Sequence, residues 1–136
     1  MSFNNLIREG FVKRVPVDLV RAKSLIKSSE QALNTAQIIP LKEETAKTVF
    51  REIYESLREY CEALGYINGY KFLNHESITD FLNEILKEKD ASLKFDRLRK
   101  IRNGINYYGN SIEIQTAEEA LTSIPLLIRK LKRHSN

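Results

Sequence analysis

The sequence is poor in the residues that most metal and disulfide chemistry requires. Cys61 is its only cysteine, so no internal disulfide can form. Two histidines and that one cysteine are too few, and too far apart, for a zinc site built from them. Glycine and proline are scarce, at five and three residues. No glycine-rich phosphate loop, GxSxG turn or pair of Glu-x-x-His helices occurs. These absences argue against serine, cysteine and metal hydrolases, and the expected complement of metals and cofactors is none. No apolar run approaches the roughly 20 residues that span a bilayer, so no membrane partner is expected. Met1–Asn5 lacks the charged-then-apolar build of a secretory signal. The expected location is the reducing cytoplasm, with Cys61 an inert thiol on an apolar helix face beside Leu57 and Leu64.

The composition that remains is that of one globular domain, residues 1–136. Of these residues, 42% are apolar and 29% charged. The net charge of +4 is unevenly spread. Residues 87–102 hold seven Lys/Arg against three acids, and residues 8–27 hold six against two. Residues 42–62 run the other way, with four basic and six acidic residues. Two basic elements flanking an acidic one suit either a phosphate-binding face or scattered solvated charge.

Helical periodicity dominates. A short N-terminal segment, residues 1–16, is expected to hold a helix over Asn4–Lys13. Pro16 and Asp18 then open a first long helix with a seam of Leu19, Ala22, Ile26, Ser29, Leu33 and Ala36, ended by Pro40. Ala46, Phe50, Ile53, Leu57, Tyr60 and Leu64 mark a second helix, with Gly65 as its expected stop. Opposite lie Glu52, Glu55, Glu59 and Glu62, read as a solvated face. Residues 65–74 form the longest expected irregular stretch. A short helix over Ser77–Lys87 and a longer one over Asp90–Tyr108 follow, the latter stopped by Gly109. Thr116-Ala117-Glu118-Glu119 matches a capping box opening a last helix, kinked at Pro125, over 116–136. The expected fold is all-α, an antiparallel up-and-down bundle of four to five main helices.

Within the fourth long segment, Leu98, Ile101, Ile105 and Tyr108 form an apolar stripe at 100° per residue, and Arg102 falls inside it. A guanidinium turned toward an apolar seam is costly unless it is paired. Arg99 lies one turn before it and Asn106 one turn after, so a polar strip of Arg99, Arg102, Asn103 and Asn106 is a candidate for binding RNA or another anion. The bland alternative is an arginine that snorkels over apolar surface. Outside this strip, His75, expected in the first turn of a helix, is a candidate acid or base.

Arg102-Asn103 near the end of a late helix, with Gly69-Tyr70-Lys71-Phe72-Leu73-Asn74-His75-Glu76 in the middle of the chain, resembles the HEPN family of helical-bundle domains. That family comprises prokaryotic toxins and partners of minimal nucleotidyltransferases. The motif of the family pairs the arginine with a histidine that follows after four to six intervening residues. Tyr107, Tyr108 and Gly109 stand there in this chain. A histidine titrates near 6.5 and moves protons at neutral pH, whereas an ordinary tyrosine titrates near 10. The resemblance therefore implies an HEPN-like bundle that binds RNA or a nucleotide through Arg102, with a degenerate ribonuclease site. It further implies a homodimer, and a role as one component of a toxin–antitoxin pair with a minimal nucleotidyltransferase. One alternative is an active metal-independent ribonuclease in which Tyr107 or His75 replaces the missing histidine. Another is a purely structural dimerisation module.

Overall fold

The computed structural model describes residues 2–109 and 111–135, with the side chains of Asn106 and Tyr107 left aside. Among these residues there are six α-helices and one two-stranded sheet. The helices are α1 (Phe3–Arg8), α2 (Leu19–Ile38), α3 (Ala46–Ile67), α4 (Glu76–Asp80), α5 (Lys89–Tyr108) and α6 (Ile114–Leu131). The strands are β1 (Val12–Arg14) and β2 (Tyr70–Phe72). A π-helical turn, Phe81–Ile85, extends α4, and a 3-10 turn, Lys132–His134, extends α6. The fold is the expected predominantly α-helical bundle. No described helix is long and apolar enough to cross a membrane.

The central element is α3, packed along α2 on one side and against α6 and α5 on others. Its position explains its composition. Thirteen of its residues are buried, on more than one face, including Phe50, Ile53, Tyr54, Leu57 and Cys61. Small residues on the facing side of α2 (Ala22, Ser29, Ala32 and Ala36) let the two helices approach closely. The Ser29 hydroxyl crosses the interface to donate to the Ser56 carbonyl at 2.6 Å. As expected, Asp18 caps α2 by accepting from the Arg21 N–H at 2.9 Å, and the helix stops short of Pro40. Leu19, at the start of the expected seam, is 58% exposed and does not join it. The Cys61 thiol is fully buried, and burial pushes its pKa up, as an inert thiol requires.

Several local expectations are corrected. The N-terminal segment is a two-turn helix ending at Arg8, followed by a strand, not a helix reaching Lys13. That strand pairs antiparallel with β2 in the register Val12↔Phe72, Lys13↔Lys71, Arg14↔Tyr70, so part of the irregular stretch 65–74 is sheet. Strands of three residues are too short to display the alternation that identifies a strand in sequence. Gly65 does not stop α3, which runs to Ile67. A Cβ at Gly65 would lie 2.6 Å from Phe72 Cε2, so glycine is there to admit β2. The turn out of the helix belongs to Gly69, at φ +82°.

The acidic side of α3 is not a solvated face. Glu59 is buried, while Glu55 and Glu62 both bind Arg58. Among the described residues no group of acids, histidines and cysteines is arranged to hold a metal. The last helix begins at Ile114, two residues before the supposed capping box, so Thr116 lies inside it and makes no cap. It runs through Pro125 to Leu131. Finally, Tyr108 is 80% exposed and does not continue the Leu98–Ile105 stripe.

Candidate functional site

Arg99, Arg102 and Asn103 sit at positions i, i+3 and i+4 of α5 and therefore share one face. Across from them runs the segment leading from β2 into α4. Together these walls enclose a cleft of about 420 Å³ lined by Leu73, Asn74, His75, Glu76, Arg99, Arg102 and Asn103. The two segments that carry the HEPN resemblance, 27 residues apart at His75 and Arg102, thus meet in space.

Local hydrogen bonding fixes the His75 wall. The Asn74 side chain accepts from the Ser77 N–H at 2.9 Å, and the Ser77 hydroxyl donates back to the Asn74 carbonyl at 2.9 Å. His75 occupies the N-cap position of α4, just ahead of the first turn. Two bonds tie α4 to α5. The Ser92 hydroxyl donates to the Thr79 carbonyl at 2.8 Å, and the Thr79 hydroxyl to Asp96 Oδ1 at 3.4 Å.

Tyr54, on α3, touches both candidate side chains, His75 and Arg102. Its hydroxyl hydrogen-bonds His75 Nδ1 at 3.0 Å. Arg102 Cζ lies over its ring, 5.9 Å from the centroid. The same ring stacks on Phe95 of α5, 5.8 Å away between centroids. Burial holds the Tyr54 hydroxyl well above its usual pKa, so it stays a neutral O–H near pH 7. Spacing alone could have revealed this residue. Tyr54 follows Phe50 by four positions and precedes Arg58 by four, which puts it on the edge of the α3 seam facing α5.

The charges around the cleft divide into paired and unpaired. Arg58 binds both Glu55 and Glu62, and Arg99 donates to Asp96 Oδ1 at 2.7 Å. Lys100 also reaches Asp96, at 2.9 Å. Arg102 has no carboxylate partner among the described residues. It is half-buried and rests against the Tyr54 ring. Within the expected strip the two arginines differ: Arg99 is paired with Asp96, whereas Arg102 has the Tyr54 ring against it and no carboxylate partner among the described residues. Asn103 lines the cleft beside it. The side chains of Asn106 and Tyr107 lie outside the described residues, so those two candidates stand on sequence alone.

This electrostatic setting acts on His75. Burial lowers its pKa, the Arg58 and Arg102 cations lower it further, and Glu55 only partly opposes them, leaving it at about 4. At neutral pH the imidazole is uncharged. One ring nitrogen is engaged by Tyr54, and the other is left to donate or accept according to the tautomer. The site thus combines a fixed cation, an amide and a neutral imidazole, with Glu76 the one carboxylate in the lining. Such a set suits one or two phosphate oxygens and a neighbouring hydroxyl.

Compared with known protein families, curated proteins and solved structures, the chain has no significant match to any of them. The functional reading rests on the cleft itself.

Proposed function

We propose that this chain is an HEPN-like protein that binds RNA through the phosphate it admits to the Arg102–His75 cleft, at a degenerate ribonuclease site. The observation that carries the reading is a half-buried arginine without a carboxylate partner among the described residues, laid on Tyr54 beside a neutral histidine in the same cleft. A desolvated cation in that position awaits an anion. By the resemblance, the chain is further proposed to act in the cytoplasm as a homodimer and as the partner of a minimal nucleotidyltransferase in a toxin–antitoxin pair. That extension is argument by family analogy.

The shared cleft also favours a second reading, a metal-independent ribonuclease with His75 as base. A neutral imidazole can accept a proton from a ribose 2′-hydroxyl, and Arg102 would stabilise charge on the phosphate. However, a base titrating at about 4 is poorly matched to operation near pH 7, so slow cleavage at most is expected.

Calorimetric titration with the dinucleotide UpU tests the reading. A charge-assisted hydrogen bond contributes about 1.5–3 kcal/mol, so Arg102→Ala should weaken binding by about 10- to 100-fold with the helical signal unchanged. Equal affinity in the variant refutes the site. Robust cleavage in excess chelator, lost in His75→Ala, favours the ribonuclease.

A further inference from the structure

The β1–β2 strand pair carries a feature that folding does not account for. Its register sets Lys13 directly opposite Lys71, on adjacent strands. Like charges in that position repel. Both lysines are exposed, and neither has a carboxylate partner among the described residues. The pleat assigns the other face, with Val12 and Phe72 buried, to the core, so the lysine pair points outward.

Pairing continues beyond the strands. The Leu73 N–H donates to the Phe11 carbonyl at 2.9 Å, so these residues extend the ladder at its far end. Two positions from the lysines, they share the lysines' outward face. Phe11 is 39% exposed and Leu73 48% exposed, an aromatic and an aliphatic side chain held next to the two ammonium groups. Leu73 is also a wall of the Arg102 cleft. Arg14 lies over the Tyr70 ring at 5.8 Å, on the other face with Val12 and Phe72, and takes no part in this surface. The outer face of the strand pair therefore sets two ammonium groups beside an exposed aromatic ring, and it runs into the proposed phosphate site.

We infer that this face holds the continuing strand of a single-stranded RNA whose phosphate occupies the Arg102 cleft, with Lys13 and Lys71 on the backbone and Phe11 beneath a base. The inference rests on the phosphate-binding reading of that cleft and narrows its ligand from any nucleotide to an extended strand. Charge and an aromatic platform together are what sequence-tolerant single-strand binding needs. A duplex is poorly suited, because its bases are already stacked on one another and cannot meet Phe11.

The test is fluorescence anisotropy of a labelled ten-nucleotide single-stranded RNA over a range of salt, alongside calorimetry with UpU. Wild type, Lys13→Gln/Lys71→Gln, Phe11→Ala and Arg102→Ala are compared. The lysine variant should bind the ten-mer about 10-fold more weakly at low salt. Its slope of log affinity against log salt should be shallower by about 1.4, two single-strand phosphate contacts. Its UpU affinity should stay at the wild-type value. Phe11→Ala should lose several-fold on the ten-mer only, whereas Arg102→Ala should weaken both ligands. If the lysine variant keeps the wild-type slope while Arg102→Ala loses both ligands, the outer-face site is refuted and the cleft stands. If wild type binds neither RNA, the cleft reading and the outer-face site both fall. Preference for a duplex of the same length, or for an acidic polypeptide over the RNA, also overturns the inference. Removing the repulsion should leave the lysine variant at least as heat-stable as wild type, so lost binding cannot be ascribed to unfolding.

Discussion

Acid should destabilise this fold through His75. An unfolded chain binds a proton on that ring near the ordinary value of 6.5, while the folded protein resists it until about pH 4. Between those values the unfolded state holds more protons, so stability is fully present above about pH 6.5 and is lost as pH falls toward 4. A displacement of that size corresponds to at most about 3 kcal/mol. His75 lies at the mouth of an open cleft, and solvent screening reduces the figure to on the order of 1–2 kcal/mol. Guanidinium unfolding from about pH 7.5 to about pH 4.5, on wild type and His75→Gln, measures it. Glutamine retains a hydrogen-bonding group for Tyr54 but cannot titrate. Carboxylates and His134 are common to both proteins, so subtracting the two curves isolates His75. The difference between wild type and variant should move against the wild type by about 1–2 kcal/mol across this range. A difference that does not vary with pH would refute the buried, cation-flanked histidine on which the site depends.

Further outcomes follow from the packing, the charges and the proposed site. Gly65→Ala places a Cβ 2.6 Å from the Phe72 ring and 3.1 Å from the Tyr70 carbonyl. Overpacking of about 1–3 kcal/mol outweighs the roughly 1 kcal/mol gained in helix propensity, so the midpoint of thermal unfolding should fall. Arg58→Met leaves Glu55 and Glu62 without their shared cation and should cost about 2–3 kcal/mol in chemical denaturation. In the same variant the His75 titration should move up from about 4, because Arg58 is the strongest of the cations depressing it. Wild-type protein should cleave RNA in excess chelator slowly or not at all, since general-base help is worth about 10²–10⁴-fold. Tyr107→His, which restores the spacing of the HEPN motif, should raise that rate only while Arg102 is intact, as gel assays of the single and double variants would reveal.

The parts of the fold that were legible in sequence are those with long, regular patterns. The α2 boundaries followed from Asp18 and Pro40, and the end of α5 from Gly109, which lies at φ +65°. What failed was local and depended on neighbours distant in sequence. Gly65 looks like a helix stop until Phe72 is seen against it, and the glutamates of α3 look solvated until Arg58 is seen between two of them. The strand pair was not legible because strands this short owe their existence to partners 56 to 60 positions away rather than to their own pattern.

The site was half legible. An arginine out of place on an apolar stripe pointed to Arg102, and the resemblance pointed to the segment holding His75. That the two share a cleft, and that Arg99 is neutralised by Asp96, depends on side-chain geometry that spacing does not carry. Tyr54, which holds both functional side chains, was within reach through its four-residue spacing from Phe50 and Arg58.

The most direct test of the proposed phosphate site is the His75 imidazole itself, followed by NMR as pH is lowered with and without excess UpU. A phosphate beside Arg102 offsets the positive field that depresses the ring, so bound dinucleotide should raise the His75 titration midpoint from about 4 toward its ordinary value, and Arg102→Ala should abolish the effect. A His75 resonance and midpoint that are indifferent to UpU would contradict the account.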